Sequence, residues 1–271
     1  MIRCLAVLAA LLLSDGPARA QDRPALPGVL GADDRRPFEP AGWPETSIGR
    51  VNREAGGFCT GTLIGPRHVL TAAHCLLHPR TRVPVPPHTV HFVAGYARGG
   101  FSVHARGQRF VLGDGYRPGA GADLANAARD WAVLVLDTAP DLKPVPIRVV
   151  AGAALERALG AKTLSRIGYS QDRAHLPMRA DGCGLLGVGT GIATRLGRAD
   201  PDIWLHDCDA VQGDSGSAIL TGRGEEVAIV ALQVALTPYA ANLAVSAAAF
   251  ADTVARLIAE PDAPGLPLPP R

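Results

Sequence analysis

Three short stretches of the sequence contain residue types that can carry out acyl transfer, and the neighbouring residues in each stretch favour this chemistry. The first is Gly213-Asp214-Ser215-Gly216-Ser217. Glycines around the serine let the backbone turn sharply, which exposes the Ser215 hydroxyl and leaves neighbouring N–H groups unpaired. The N–H groups of Gly213 and Ser215 would then converge on an oxyanion that develops during acyl transfer. Taken alone, the stretch also fits a tight Asp-Ser-Gly turn without chemistry.

The second stretch, Thr71-Ala72-Ala73-His74-Cys75, offers a general base. His74 follows an apolar strand, lies among small residues and is pinned by the cysteine beside it. Such pinning suits an imidazole that must stay within hydrogen-bond reach of a nucleophile. The remaining histidines are interpreted as structural or surface groups: His68, His78, His88, His91, His104, His175 and His206.

The third stretch, residues 130–136, places the carboxylate of Asp130 at the mouth of a largely apolar strand. A partly buried carboxylate needs a partner. An imidazole N–H is a suitable one, because the carboxylate also stabilises the imidazolium that forms during catalysis. An aspartate that caps a turn before a strand is the common alternative. We favour Asp130 over two rivals, since Asp123 lies in a Gly/Ala-rich loop and Asp137 follows the strand.

Together, and in the chain order His, Asp, Ser, the three stretches match one of the convergent Ser-His-Asp arrangements. The segment from Cys59 to Cys75 resembles the histidine strand of trypsin-like proteases, including its disulfide. The segments that begin at Asp130 and Gln212 resemble the aspartate strand and the serine loop of that family. Within the family, residues 30–35 are similar to a stretch near the mature start of the bacterial V8-like and glutamyl endopeptidases. The resemblance runs from about residue 28 to residue 259.

The resemblance implies an all-β fold of two six-stranded antiparallel Greek-key barrels, with the active site in the cleft between them and a C-terminal helix. His74 and Asp130 would come from the first barrel and Ser215 from the second. It also implies a serine endopeptidase that cleaves protein or peptide substrates through an acyl-enzyme intermediate. No metal or organic cofactor is expected.

Four further positions bear on specificity and maturation. Asp209 lies six residues before Ser215, where trypsin-like enzymes place the carboxylate at the floor of the specificity pocket, and this would favour Arg or Lys before the scissile bond. The loop can also direct Asp209 elsewhere. Ala231 stands where the family has a serine whose backbone binds substrate, and Gln233 where a glycine usually leaves the pocket open. Asp214 matches the trypsin residue that pairs with a freed amino terminus.

These residues must be positioned by many short strands. Gly (31) and Pro (23) are frequent, and short apolar stretches recur between turn signals, which is typical of an all-β barrel or sandwich. Residues 153–159 are interpreted as a short helix or a loop, and residues 247–259 as an amphipathic helix. The predicted strands are Cys59–Ile64, Val69–Ala72, Val90–Ala94, Phe110–Leu112, Trp131–Leu136, Thr163–Gly168, Gly187–Thr194, Ile203–His206, Ser217–Leu220, Val227–Leu232 and Leu243–Ser246.

The first twenty residues have the pattern of a signal peptide. Arg3 supplies a positive charge, residues 4–13 form an apolar run too short to span a membrane, and Ala18-Arg19-Ala20 gives a small-x-small cleavage site before Gln21. We therefore predict a secreted or periplasmic protein. The resemblance at residues 30–35 implies a short pro-segment and a mature amino terminus near residues 29–31. The predicted segments are 1–20 signal peptide, 21–30 pro-segment, 31–150 N-terminal barrel, 151–246 C-terminal barrel, 247–259 helix and 260–271 Pro-rich tail.

Export decides how the cysteines are interpreted. Removal of the signal peptide removes Cys4 and leaves four cysteines in an oxidising compartment. Four cysteines allow three pairings, of which nearness in sequence favours Cys59–Cys75 and Cys183–Cys208. No C-x-x-C or paired His/Cys spacing supports a metal site.

Composition and charge exclude some partners and leave one alternative function open. The 27 basic and 25 acidic residues give a net charge of +2 without a Lys/Arg run, so nucleic acid and anionic membrane surfaces are not expected partners. Neither membrane insertion nor oligomerisation is expected. An esterase would use the same chemistry, but the sequence lacks the Gly-x-Ser-x-Gly elbow of α/β-hydrolases. A homologue that uses the fold only for binding stays open, because fold alone does not establish activity.

Overall fold

The computed structural model describes residues 26–120, 123–189, 200–237 and 241–260. The signal peptide and most of the Pro-rich tail lie outside these residues. The strands in chain order are β1 (Arg36–Pro37), β2 (Ile48–Arg53), β3 (Phe58–Gly65), β4 (His68–Thr71), β5 (Val90–Ala94), β6 (Val103–Leu112), β7 (Ala132–Leu136), β8 (Leu164–Gly168), β9 (Met178–Cys183), β10 (Leu185–Val188), β11 (Ile203–His206), β12 (Ala218–Thr221), β13 (Ala228–Ala235) and β14 (Asn242–Ser246).

Helices are short and lie between or after the strands. Within the described residues, the α-helices are α1 (Leu124–Ala127), α2 (Gly152–Ala158) and α3 (Ala251–Ala259). The single-turn 3₁₀ helices are Glu45–Ser47, Ala73–Leu76, Pro87–Thr89, Gln171–Arg173, Gly224–Glu226 and Ala247–Ala249. In the part of the chain that the structure describes, no helix is long and apolar enough to cross a membrane.

The first half of the chain forms a closed six-stranded antiparallel barrel in the order β2-β3-β4-β7-β6-β5. Alternate residues of each strand point inward and fill the barrel with apolar side chains. Gly61 occupies one inward position because a Cβ there would lie 2.7 Å from both Val51 Cγ2 and Val69 Cγ1. The barrel interior is therefore a packed core that holds the strand ends in fixed positions.

The second half forms an eight-stranded sheet in the order β1-β9-β8-β12-β13-β14-β11-β10. Only Gly184 separates β9 from β10, so the two are halves of one bent strand. The first half pairs with β8 and the second with β11, which wraps the sheet into a second six-stranded, barrel-like unit. The short strand β1 is added at its edge. This architecture confirms the predicted fold class of two barrels and a C-terminal helix.

Each barrel carries one disulfide, and both predicted pairings are confirmed. Cys59–Cys75 joins β3 to the 3₁₀ turn that contains His74. Cys183–Cys208 joins the end of β9 to the segment that follows β11. The two bridges therefore brace the segments that lead into the candidate catalytic residues of both barrels.

Several element boundaries differ from the sequence predictions. The strand predicted at residues 110–112 is the end of the ten-residue β6, whose first half alternates small buried residues with exposed polar ones and so lacks an apolar run. The strand β9 was not predicted for the same reason, since its sequence is Met-Arg-Ala-Asp-Gly-Cys. The strand predicted from Gly187 onward ends at Val188, and residues 190–194 lie outside the described part of the chain.

Candidate active site

The 3₁₀ turn after β4 presents His74 to the carboxylate of Asp130. The ring Nδ1 of His74 lies 2.7 Å from Asp130 Oδ2, and the backbone N–H of His74 donates to Asp130 Oδ1 at 2.9 Å. An ionised carboxylate can only accept hydrogen bonds, so Nδ1 carries a proton. In the neutral imidazole, Nε2 is then free to accept a proton from a nucleophile.

Asp130 is held by the turn between α1 and β7, and its two sequence rivals are engaged elsewhere. The N–H of Asp130 donates to Ala127 O at 3.1 Å. Asp123 caps α1 through the N–H of Ala125 and pairs with Arg117. The carboxylate of Asp137 accepts the N–H of Arg106. Of the three aspartates, Asp130 is therefore the one that contacts His74.

Ser215 lies in the tight turn between β11 and β12 that two glycines make possible. Gly213 and Gly216 adopt φ angles of +98° and +81°, in the left-handed region that favours glycine. A Cβ on Gly213 would lie 2.5 Å from Tyr169 O, and one on Gly216 would lie 2.2 Å from Thr60 O. Glycine is thus required by both conformation and space, while the Ser215 side chain stays partly exposed.

The serine loop, residues 211–217, is tied to the first barrel beside His74. The N–H of Thr60 donates to Ser215 O at 2.9 Å. The Sγ of Cys75, the residue after His74, lies 3.8 Å from the same carbonyl oxygen. The fold therefore places the Ser215 backbone against the 3₁₀ turn that carries His74, where the two barrels meet.

Two backbone N–H groups of the serine loop are available to a ligand. Gln212 O accepts the N–H of Gln171 at 2.8 Å, so the N–H on the other side of that trans peptide, which belongs to Gly213, points away from Gln171. Among the described residues, none accepts a hydrogen bond from the N–H of Gly213 or Ser215. Both groups are therefore free to donate to a ligand, and their role as an oxyanion site stays a prediction.

Asp214 is fully buried and its charge is compensated by Arg166, which is fully buried as well. Arg166 Nη1 lies 2.5 Å from Asp214 Oδ1, while Ser170 Oγ and the N–H of Val211 donate to Oδ2, each at 2.8 Å. A guanidinium thus occupies the place expected for a freed amino terminus. Arg166 was not predicted as a functional residue, although an arginine inside the apolar strand predicted at residues 163–168 was the available signal.

Asp209 is also buried, but its carboxylate holds the amino-terminal segment. Oδ1 accepts the N–H of Leu30 at 2.7 Å, and Oδ2 accepts the N–H of Asp34 at 3.1 Å. Burial raises the pKa of Asp34, and the neighbouring Asp209 carboxylate adds to the effect. The sequence left two possibilities open for Asp209: the floor of the specificity pocket, or a loop that directs the side chain elsewhere. This geometry favours the second.

Gln233 lies beside the serine loop, and its side chain belongs to a buried polar pair. Its backbone N–H donates to Ser217 O at 2.9 Å, and its carbonyl accepts the N–H of Gly216 at 2.8 Å. Gln233 Oε1 lies 2.6 Å from His206 Nε2. Because His206 Nδ1 accepts the N–H of Cys208, the ring proton is on Nε2. Burial lowers the pKa of His206 to about 4, so the imidazole is neutral.

Ala231 lies within β13, and its predicted backbone contact with substrate stays a prediction. Ala231 is fully buried inside the sheet and pairs with Ile219 on β12 and with Ser246 on β14. Its backbone is therefore flanked by strands on both sides. The residue of β13 that contacts the serine loop is Gln233, two positions further along the chain.

Three potential metal-ligand atoms meet near the site, but they do not form a ligand set. The Sγ atoms of Cys59 and Cys75 and a ring nitrogen of His74 lie within 4.8 Å of one another. Both sulfurs belong to the Cys59–Cys75 disulfide, and metal binding requires thiolates. The group therefore offers a metal only the imidazole.

Comparison with known proteins places this geometry in a family. Residues 59–229 match the model of the trypsin-like peptidase domain. The fold resembles that of a Glu endopeptidase solved in complex with MPD, with 24% identity, a TM-score of 0.68, and coverage of 86% of this chain and 100% of that one. It also resembles the Vibrio cholerae VesB protease, with 19% identity, a TM-score of 0.63, and coverage of 83% and 67%. No curated protein sequence matches. The chain belongs to the trypsin-like peptidase family, as its motifs predict, and is a serine protease.

Proposed function

We propose that the protein is an exported serine endopeptidase in which Ser215 is the nucleophile, His74 the general base and Asp130 the residue that orients it. The observation that carries this proposal is the double hydrogen bond between His74 and Asp130, through Nδ1 and through the backbone N–H. It fixes the ring in the tautomer whose Nε2 can accept the Ser215 proton.

In the proposed reaction, Ser215 Oγ attacks the scissile carbonyl carbon while His74 Nε2 takes its proton. The carboxylate of Asp130 stabilises the imidazolium, and the N–H groups of Gly213 and Ser215 donate to the new oxyanion. The C–N bond then breaks, and His74 gives its proton to the leaving amine. Water releases the acyl group from Ser215 by the reverse sequence of proton transfers.

Two features of the molecule support export. Both disulfides require an oxidising compartment, and residues 1–20 have the composition of a signal peptide. We therefore infer a secreted or periplasmic location for the enzyme.

Maturation is proposed to differ from the sequence expectation of a start at residues 29–31. Gly28 O accepts hydrogen bonds from the N–H of Ala210 and from Asn242 Nδ2, and Leu30 N–H binds Asp209. A start at residues 29–31 would remove the Gly28 contacts from the loop that leads to Ser215. Because Arg166 already compensates the charge of Asp214, activity should not require a freed amino terminus.

The proposal is tested by labelling the purified protein with a fluorophosphonate and locating the adduct by mass spectrometry. Wild type should be labelled at Ser215, and Ser215→Ala should be neither labelled nor able to cleave a peptide library. His74→Ala should fold yet react more slowly by several orders of magnitude. Ser102→Ala, which changes an exposed serine, is the matched control and should behave as wild type. A folded wild type that is inert in both assays would support the binding-only alternative.

A further inference from the structure

Thr60, on β3 of the first barrel, is fully buried and makes hydrogen bonds to both barrels. Its backbone N–H donates to Ser215 O at 2.9 Å. Its hydroxyl Oγ1 donates to Gly213 O at 3.1 Å and accepts the N–H of Tyr169 at 2.8 Å. Its carbonyl oxygen accepts the hydroxyl of Thr71 at 2.8 Å. One residue of the first barrel is thus bonded to the carbonyls on both sides of Asp214.

The direction of these bonds is fixed by the donors available. A hydroxyl has a single proton, and the N–H of Tyr169 can only donate. The proton of Thr60 Oγ1 is therefore directed to Gly213 O, which has no proton of its own. The hydroxyl therefore accepts a hydrogen bond from Tyr169 of the second barrel and donates one to the serine loop.

This contact completes the set of bonds that fixes Gly213. The peptide before Gly213 is held because Gln212 O accepts the N–H of Gln171, and the peptide after it is held because Gly213 O accepts the Thr60 hydroxyl. With both peptide planes fixed, the φ of Gly213 is held at +98°. The Thr60 N–H fixes the carbonyl of Ser215 in the same way.

The direction of the Gly213 N–H follows from the anchored Gln212 carbonyl. The Ser215 N–H belongs to the next peptide but one, whose carbonyl, Asp214 O, accepts the N–H and the hydroxyl of Ser217. The Gly213 peptide held by Thr60 joins these two and so sets their relative orientation.

We propose that Thr60 is a positioning residue for the oxyanion site: its hydroxyl holds the Gly213 peptide so that the N–H groups of Gly213 and Ser215 point at the developing oxyanion. The inference rests on the proposed function and adds a residue to it that does not touch the substrate. Without the hydroxyl, Gly213 O and the N–H of Tyr169 would lose their partner in a buried place. The serine loop would then relax and misdirect both donors.

The same strand supplies a matched control. Thr62 points to the same side of β3 as Thr60, because side chains alternate along a strand. It is also fully buried, and its hydroxyl has no hydrogen-bond partner among the described residues. Thr62→Val therefore makes the same chemical change in the same strand without removing a contact to the serine loop.

The experiment compares Thr60→Val, Thr60→Ala, Thr60→Ser and Thr62→Val with wild type. It measures kcat and KM on a peptide substrate, with active sites counted by fluorophosphonate titration, and the affinity of a peptide aldehyde whose adduct carries an oxyanion. Thr60→Val and Thr60→Ala should lower kcat by about 10- to 100-fold, less than the ~10²–10³ for removal of an oxyanion donor, and should weaken aldehyde binding in parallel. KM should stay within about threefold, because the lost interaction acts in the transition state. Thr60→Ser and Thr62→Val should remain within about threefold of wild type in both measurements.

Two results would overturn the inference for a wild type that reacts with fluorophosphonate. One is a kcat for Thr60→Val and Thr60→Ala equal to that of Thr62→Val. The other is a loss in Thr60→Ser as large as in Thr60→Val, which would show that the site responds to any change of packing and not specifically to loss of the hydroxyl. If Thr60→Val does not accumulate as folded protein, Thr60→Ala decides in the same way, since it removes the hydroxyl without adding a methyl group. A wild type inert to fluorophosphonate would overturn the proposed function, and this inference with it.

Discussion

Arg166 Nη1 and Asp214 Oδ1 lie 2.5 Å apart, and neither side chain is exposed to solvent. Arg166 also donates from Nε to Asp209 O at 2.8 Å. The guanidinium therefore binds two points of the segment that leads to Ser215. Burial of a single charge is costly, so each member of this pair depends on the other. The conformation of the serine loop depends in turn on the pair.

Arg166→Gln should destabilise the enzyme and lower its activity, because it leaves the Asp214 carboxylate buried without a counter-charge. The expected loss of unfolding free energy is about 3–5 kcal/mol, the usual effect of breaking a buried ion pair. The double variant Arg166→Gln with Asp214→Asn should recover part of this loss, since it leaves no charge buried. Urea unfolding and kcat on the three proteins measure both effects. Equal stability of the single and double variants would contradict this account of the pair.

Asp130→Asn should preserve the fold and abolish most of the turnover. The amide can turn its NH₂ group toward His74 Nδ1, which would move the ring proton to Nε2, where it blocks acceptance of the Ser215 proton. The corresponding change in another serine protease lowers kcat by about 10⁴. Asp123→Asn, at an aspartate that caps α1 instead, is the matched control and should leave kcat unchanged. A kcat for Asp130→Asn within tenfold of wild type would refute the assigned role.

His206 should make the enzyme less stable as the pH falls from about 6.5 to about 4. Burial lowers the pKa of His206 from its ordinary value of 6.5 to about 4 in the folded protein. Between these values the unfolded chain binds a proton that the folded one does not, so protons favour unfolding. The loss is complete below the folded pKa and amounts to about 3 kcal/mol, and it is absent above the unfolded pKa.

The measurement is the free energy of unfolding in urea across this pH range, for wild type and for His206→Gln. The unfolding free energy of the variant should depend less steeply on pH, because the buried imidazole is gone. A residual dependence should remain, because carboxylates still titrate in the same range. His88→Gln, at an exposed histidine, should keep the wild-type slope. Identical slopes for wild type and His206→Gln would show that the imidazole is not held neutral by the fold.

Local motifs predicted the family and both disulfides, whereas contacts between distant parts of the chain were not predictable. Each of the three motifs is contained within a few neighbouring residues, and both disulfides join cysteines only 16 and 25 positions apart. The partner of Asp214 is 48 positions away in β8, and the segment bound to Asp209 is 175 to 179 positions away. Contacts across such separations leave no local pattern in the sequence, because it is the pairing of the β strands that brings these residues together.

The register of β13 in the sheet was also not predictable from local motifs. Strand β13 shifts register against β12 between Ile219 and Leu220, and against β14 between Gln233 and Ala235. Each such irregularity changes which residue lies opposite a given neighbour. The spacing of residues along the chain therefore does not show by itself that Gln233 bonds to the serine loop.

The specificity prediction changes once Asp209 is seen to bind the amino-terminal segment. In the sequence interpretation, Asp209→Ser would abolish a preference for Arg selectively. With its oxygens bonded to the N–H groups of Leu30 and Asp34, the same change should instead loosen residues 28–36 and lower the unfolding free energy by about 3 kcal/mol, since two hydrogen bonds to a buried charge are lost.

Rates on Arg, Glu and Leu substrates, together with urea unfolding and limited proteolysis of the amino-terminal segment, distinguish the two roles of Asp209. We expect Asp209→Ser to keep the wild-type ranking of the three substrates, to unfold at lower urea and to be cut faster near residue 30. Asp181→Asn, at an exposed aspartate of the same barrel, controls for a general loss of negative charge and should change none of these. A variant that keeps its stability but selectively loses cleavage after Arg would return Asp209 to the pocket floor. Residues 28–36 contact the residues that precede Ser215. We therefore expect Asp209→Ser to lower kcat equally on the Arg, Glu and Leu substrates, without changing their ranking.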